Sequence, residues 1–486
     1  MIQSLIAAGL LLLGFFVFRY TGGDLGIAFL GFSAVGGYCV LLIKTRRVLL
    51  RFGSLTWTAE ELFRHCLLSG DTGCGKTTSG FHTILFQISK NVPNWGGLVL
   101  GVKGDESEYI SELLDHAGRK DDLIDLQVRP TAVSTNWIPP HRFNLLSDRR
   151  IPWMTHAKYI VDIAASMTDG QQHAFFRPMA QIAMANAFAL IDELRLPVTL
   201  TRTYDLLTSQ EIAAKFIKRL KRLEPTPERL RLIAFFQTSF IDAKAYEQRE
   251  AIEGTIKTYL GFFTNPDVAA VFSSDLPNTF SFNEVNNGAV ITITMPQSLA
   301  SERRYVQTYL KMLFYNQALS RLDKLDALRR NENLLLLVAD EFQDLVTSSE
   351  DGISDHKIVD RIRSAKTAII AGMQSELSAD PAIGERKRKV LSLNLRTRFI
   401  FRAADADDAE LSAKFIGKRT IWKQTRSSKP LGQVTVSRRQ EQEFYVKPEK
   451  LLRLPDHQAV IVHPSKRFRK KKLAPIDGKG GIYPWY

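Results

Sequence analysis

Cysteine is scarce: Cys39, Cys66 and Cys74 are the only three, and none stands in a C-x-x-C pair. That excludes a disulfide framework and a paired-cysteine zinc site, and it predicts a reducing compartment for the bulk of the chain. The sequence also lacks an internal repeat and a long low-complexity tract, which excludes repeat arrays and largely disordered chains. Acidic residues fall short of basic ones, 51 against 65, a formal net charge of +14. Acidic partners such as nucleic acid or anionic lipid fit that surplus. With 486 residues, 45% of them apolar, the chain can bury large cores and has the length of roughly three domains.

Charge is absent from two stretches, Ile2–Phe18 (IQSLIAAGLLLLGFFVF) and Leu25–Ile43 (LGIAFLGFSAVGGYCVLLI), separated by RYTGGD. A helix of roughly 17–25 apolar residues spans a bilayer. The first run lacks the Lys/Arg head of a signal peptide. Residues 1–50 are therefore expected to form a transmembrane hairpin and a basic juxtamembrane segment. Lys44, Arg46, Arg47 and Arg51 would hold its second end on the cytoplasmic side. The expected location is a bacterial inner membrane, multi-pass, with most of the chain cytoplasmic.

Gly70-Asp71-Thr72-Gly73-Cys74-Gly75-Lys76-Thr77 fits G-x-x-x-x-G-K-[ST] at every fixed position. Glycines let the backbone turn its N–H groups toward phosphate oxygens. Lys76 is placed to reach the β- and γ-phosphates, and the Thr77 hydroxyl to bind Mg²⁺. Thr78 opens the helix that follows, whose N-terminus adds partial positive charge. Cys74 reads as a small filler at a variable position. A short strand, His65–Leu68, enters the loop. Leu334–Ala339 reads as a strand covered on both faces. Asp340 and Glu341 follow at its C-terminal end, where open α/β sheets place their ligands. Asp340 is expected to hold Mg²⁺ and Glu341 to activate the attacking water.

Further strands are expected at Leu98–Val102, Ala289–Thr294, Ala368–Ala371, Arg398–Phe401 and Ala459–Val462. Gln374, just past one of them, is the candidate sensor of the γ-phosphate. Between Ile151 and about Gly254 the pattern is helical, as in Ala174–Leu194 and Tyr204–Leu223. The expected order is a nucleotide-binding domain begun in 51–150, interrupted by an all-α domain at 151–254, and completed in 255–486. The expected fold class is α/β, a large doubly wound sheet with helices on both faces.

A charge-free hairpin, a P-loop, a helical insertion and a late LLLLVADEF strand together resemble the coupling-protein ATPases of type IV secretion and conjugation, the TraD/TraG type. The likeness covers nearly the whole chain. Its more specific marks are the order Lys103-Gly104-Asp105 after an early strand, Asp340-Glu341-Phe342, and Gln374-Ser375-Glu376-Leu377; Phe143-Asn144-Leu145-Leu146 is similar to the family's Asn-Pro-Leu but lacks the proline. Where the family carries Asp-Pro before Lys-Gly, this chain has Gly101-Val102. The resemblance implies a RecA-like motor, a homo-hexamer around a channel, and ATP with Mg²⁺ bound between neighbours. It implies DNA, a relaxase protein and secretion-channel proteins as partners, at a lipid bilayer. A neighbour's arginine would then stabilise charge on the γ-phosphate. Arg363 is the first candidate and Arg361 the second.

Two basic clusters, Lys466–Lys472 with Phe468 interleaved and Glu385–Lys389, fit either contact with phosphate backbone or a solvated face. The function expected is ATP-driven delivery of DNA, as a single strand with its relaxase, into a secretion channel. A protein-effector exporter, a double-strand DNA pump of the FtsK/HerA kind and a non-hydrolysing scaffold remain as alternatives.

Overall fold

The computed structural model describes residues 47–102, 104, 106–133, 136–167, 176–241, 246–349, 352–428 and 434–474. It divides at Leu62 into two units. The described part of the first is a β-hairpin, β1 (Val48–Phe52) and β2 (Leu55–Thr58), followed by the short helix Ala59–Leu62.

The second unit is built on a nine-stranded sheet in the order β13-β12-β9-β3-β8-β7-β4-β6-β5. Its strands are β3 (Cys66–Ser69), β4 (Gly96–Leu100), β5 (Leu123–Gln127), β6 (Val290–Thr294), β7 (Leu335–Ala339), β8 (Thr367–Met373), β9 (Thr397–Ile400), β12 (Gln458–Val462) and β13 (Arg469–Lys472). From β9 across to β5 every neighbouring pair is parallel. β12 and β13 are added antiparallel at one edge. The central strands are buried residue after residue, as continuous apolar runs require when both sheet faces are covered. Each strand-like run read from the sequence lies on one of these strands, shifted by one or two residues. A separate two-stranded ribbon pairs β10 (Lys418–Ser428) with β11 (Val434–Phe444).

Between β5 and β6 the chain is helical, from Trp153–Met167 to Pro266–Phe272. The expected helix at Ala174–Leu194 is Arg177–Glu193, with proline in its first turn. The expected Tyr204–Leu223 helix is two helices, Leu200–Thr208 and Gln210–Leu220. Ser209 separates them in extended conformation and its hydroxyl accepts from the Ile212 N–H. A residue that caps one helix cannot sit inside another.

The expected multi-pass membrane location is corrected: among the described residues no helix is long and apolar enough to cross a membrane. The two runs that prompted it, Ile2–Phe18 and Leu25–Ile43, lie outside the described residues.

Two buried histidines make the fold sensitive to acid. His65 donates from Nε2 to the Val359 carbonyl at 2.7 Å and accepts at Nδ1 from the Ile369 N–H at 3.0 Å. His156 contacts the Tyr309 hydroxyl at 2.7 Å and the Asp148 carbonyl at 3.1 Å. Burial lowers both to about 4. In the unfolded chain they take up protons near 6.5, so the unfolded state binds more protons between those values. Stability is therefore complete above pH 6.5 and lost as pH falls toward 4, by on the order of 3 kcal/mol per histidine. Thermal melts across that range test this, with His156→Gln expected to flatten the slope.

Candidate nucleotide site

The loop after β3 is held by what surrounds it. The Gly70 N–H donates to the Gln374 carbonyl at 3.0 Å, and the Asp71 N–H to the Arg402 carbonyl at 2.8 Å. Both acceptors follow the ends of strands that flank β3, so parallel pairing fixes where the loop begins. Lys76 is buried and its Nζ donates to the Gly70 carbonyl at 2.6 Å. The helix then starts wide, as a π-turn over Lys76–Phe81, before continuing as α-helix at His82–Asn91.

Asp71, Thr72, Gly73, Gly75, Lys76, Thr77, Thr78, Asp340, Glu341, Gln374 and His457 line one cavity of about 340 Å³. The sequence had named all but the last. Gly70 and Cys74 lie in the loop behind it, and burial raises the Cys74 thiol. The Thr77 hydroxyl donates to Asp340 Oδ2 at 3.1 Å. Asp340 is buried at the end of β7, and its carboxyl is raised, first by burial and then by the Glu341 charge beside it. Glu341 has φ of 52°, a left-handed conformation uncommon for glutamate. Its carboxylate accepts from Gln343 Nε2 at 2.6 Å.

His457 enters from the turn before β12, also left-handed at φ 60°. Its N–H donates to the Cys74 carbonyl at 2.9 Å and its Nδ1 lies 2.7 Å from the Ser79 hydroxyl. Gly75 has φ of 95°, and a Cβ there would stand 2.6 Å from His457 Nδ1. The histidine ring thus packs where the glycine has no side chain. No local pattern marks His457, which lies 378 residues from Ser79.

A second unforeseen residue is Glu106. Gly101 follows β4, beside Asp340, whose N–H donates to the Leu100 carbonyl at 3.0 Å. A Cβ on Gly101 would fall 1.8 Å from Glu106 Oε1. The space a side chain at Gly101 would need is filled by the Glu106 side chain, which accepts from the Gly104 N–H at 2.9 Å. Lys103 and Asp105 lie outside the described residues.

Arg361 and Arg363 are not brought to this cavity. Both are exposed and precede β8, at the opposite end from Gln374 and roughly 20 Å away at strand spacing. Arg363 lines another cavity with Arg64, His65 and Arg396. Asn144 of the FNLL stretch is a structural residue, buried and donating to the Val198 carbonyl at 2.7 Å.

The basic clusters resolve differently. Arg388 is buried and paired with Glu376 and Asp380, and Lys389 is paired with Glu385. Phe468 packs on Tyr445 with ring centres 5.5 Å apart. Arg469–Lys472 form β13, one of the two edge strands of the sheet.

The family described as Type IV secretory system Conjugative DNA transfer matches residues 40–474. The chain belongs to that family. Among solved structures it is similar to the bacterial conjugative coupling protein TrwBdeltaN70 in its unbound monoclinic form, with TM-score 0.64, 15% identity, and 89% of each chain covered. It is also similar to TrwB in complex with ADP and Mg²⁺, with TM-score 0.62, 15% identity, and 90% and 91% covered. A third is TrwB with a non-hydrolysable ATP analogue, at TM-score 0.60 and 17% identity, with the same coverage. These conjugative coupling proteins share the fold of this chain. No curated protein matches it.

The cavity fits a magnesium nucleotide on its own chemistry. Thr77 and Asp340 set two oxygen donors side by side, the ligand type a hard cation prefers. Lys76 and the loop supply positive charge and N–H groups where phosphates would lie.

Proposed function

We propose that the chain hydrolyses ATP to drive DNA, a single strand carrying its relaxase, into a type IV secretion channel, working as a ring of six copies. The observation that carries this is the convergence of Lys76, Thr77, Asp340, Glu341 and Gln374 on one cavity at the C-terminal ends of β3, β7 and β8. Relatives solved with ADP and Mg²⁺ support the choice of ligand.

Bound Mg²⁺ would supply charge neutralisation on the phosphates. Thr77 and Asp340 would hold it, and the raised Asp340 must ionise to do so. Lys76 holds the phosphates in the loop. Glu341 takes a proton from the attacking water. Gln374 is placed to orient groups at the γ-position. Arg363 and Arg361 can act only on a neighbouring copy's site, which makes the ring a requirement of their role.

ATP turnover by the full-length chain, with and without single-stranded DNA and over a salt series, tests the proposal. Stimulation that fades with salt supports a motor held by phosphate contacts. Turnover indifferent to DNA would instead support protein export. His457→Ala removes the bond to Ser79 and should weaken nucleotide binding about fivefold, the worth of one hydrogen bond. Calorimetric titration with Mg-ADP measures this.

A further inference from the structure

Among the described residues the β10–β11 ribbon has no third strand on either side. Its strands pair without interruption from Lys418 opposite Phe444 to Ser428 opposite Val434. Residues opposite each other share a face, and successive residues alternate between faces. The two faces differ in charge.

One face carries Arg419 paired with Glu443 at 3.3 Å and Lys423 paired with Glu441 at 2.7 Å. The other carries Lys418, Trp422 and Gln424 from β10 and Arg438, Gln440 and Gln442 from β11, with no acid among its described side chains. All six are exposed, Trp422 at 64%. Arg438 stands opposite the neutral Gln424, while Lys418 lies over the Phe444 ring at 4.8 Å. A two-stranded ribbon alone gains little by displaying a tryptophan to water. Cations flanking an aromatic ring, among amides and without acids, complement a polyanion that also offers flat bases.

We propose that this acid-free face binds single-stranded DNA, resting on the DNA-delivery function proposed above. Lys418 and Arg438 lie roughly 20 Å apart along the ribbon at strand spacing and engage backbone phosphates. Trp422, between them, stacks on a base. The glutamine amides donate to and accept from base edges and sugars. An anionic bilayer would satisfy the cations but would gain nothing from a row of amides.

Binding of a fluorescent oligothymidine to the full-length chain over a salt series tests this. Wild type is compared with Lys418→Gln/Arg438→Gln, with Trp422→Ala, and with Lys423→Gln on the opposite face. The double variant is expected to bind more weakly and to lower the salt slope by about 1.4, two single-strand phosphate contacts. Trp422→Ala is expected to bind about tenfold more weakly, the loss of one stacked base, with the slope unchanged. Lys423→Gln is expected to stay within about twofold, as an exposed pair contributes little. All four positions are exposed, and unchanged melting temperatures show the fold intact.

Wild-type binding with no loss in either ribbon variant would overturn the ribbon site and leave the DNA-motor function standing. Absence of binding by wild type would overturn both. A loss confined to phosphatidylserine vesicles would make the face a lipid contact and overturn the proposal. A change of oligomeric state without loss of DNA binding would make it a contact between copies, with the same consequence.

Discussion

Glu341→Gln is expected to lower ATP turnover by about 10²–10⁴-fold, the usual worth of a positioned general base, while Mg-nucleotide affinity changes little. The substitution keeps length and shape and removes only the ability to take a proton. Glu341 stands at φ 52°, and its carboxylate is held by Gln343 rather than by the loop that grips phosphate. Binding and proton transfer are therefore separable at this position. Asp340→Asn is expected to behave differently. Its carboxylate accepts from Thr77, so nucleotide affinity should drop most in the presence of Mg²⁺ and least in its absence. Single-turnover hydrolysis and calorimetric titration on the two variants read the contrast. Equal turnover for wild type and Glu341→Gln would remove Glu341 from the mechanism and favour a scaffold that binds without hydrolysing.

The largest expected loss of stability comes from Lys311→Met. Lys311 and Asp355 form an ion pair with both side chains fully buried. Burial lowers the Lys311 ammonium, and Asp355 opposes that shift. Asp355 also accepts from the Tyr315 hydroxyl at 2.6 Å, the Thr347 N–H at 2.8 Å and the Thr347 hydroxyl at 3.1 Å. Removing the cation strands a buried carboxylate, a change that costs about 3–5 kcal/mol. A second substitution, Asp355→Asn, takes away the stranded charge and should recover much of the loss. Denaturant midpoints of the single and double variants measure it. Because Thr347 lies in the segment between Glu341 and the helix Asp355–Ile362, the single variant should also slow turnover at temperatures well below its melt. If the single variant kept wild-type stability, the pair would have no net role in the fold.

The parts of this architecture legible in the sequence were those written in short windows. β7 and β8 are apolar along their whole length, and the loop after β3 carries fixed glycines and a lysine. Local composition also found the helical stretch, though its last helix lies at Pro266–Phe272, past the expected end near 254. What escaped was non-local or polar. β5 alternates half-buried and buried residues, because it lies at a sheet edge. The ribbon strands are mostly polar and carry no core signature. His457 reaches the phosphate loop only because β12 is added beside β9. Glu106 matters only because Gly101 has no side chain. The expected membrane hairpin falls on residues outside those described.

The run Arg469–Lys472 has a physical consequence apart from any ligand. A sheet ends in strands whose outer N–H and C=O groups are free to capture another chain, and lysine on such a margin discourages that capture. Of the two margins of the large sheet, β5 and β13, β13 is basic at every position and largely exposed. Bringing two such margins together would set like charges against each other within hydrogen-bonding distance of the backbones. Copies of this chain can thus crowd at high local concentration without their sheets fusing through β13. These basic side chains keep the folded protein from polymerising along that edge.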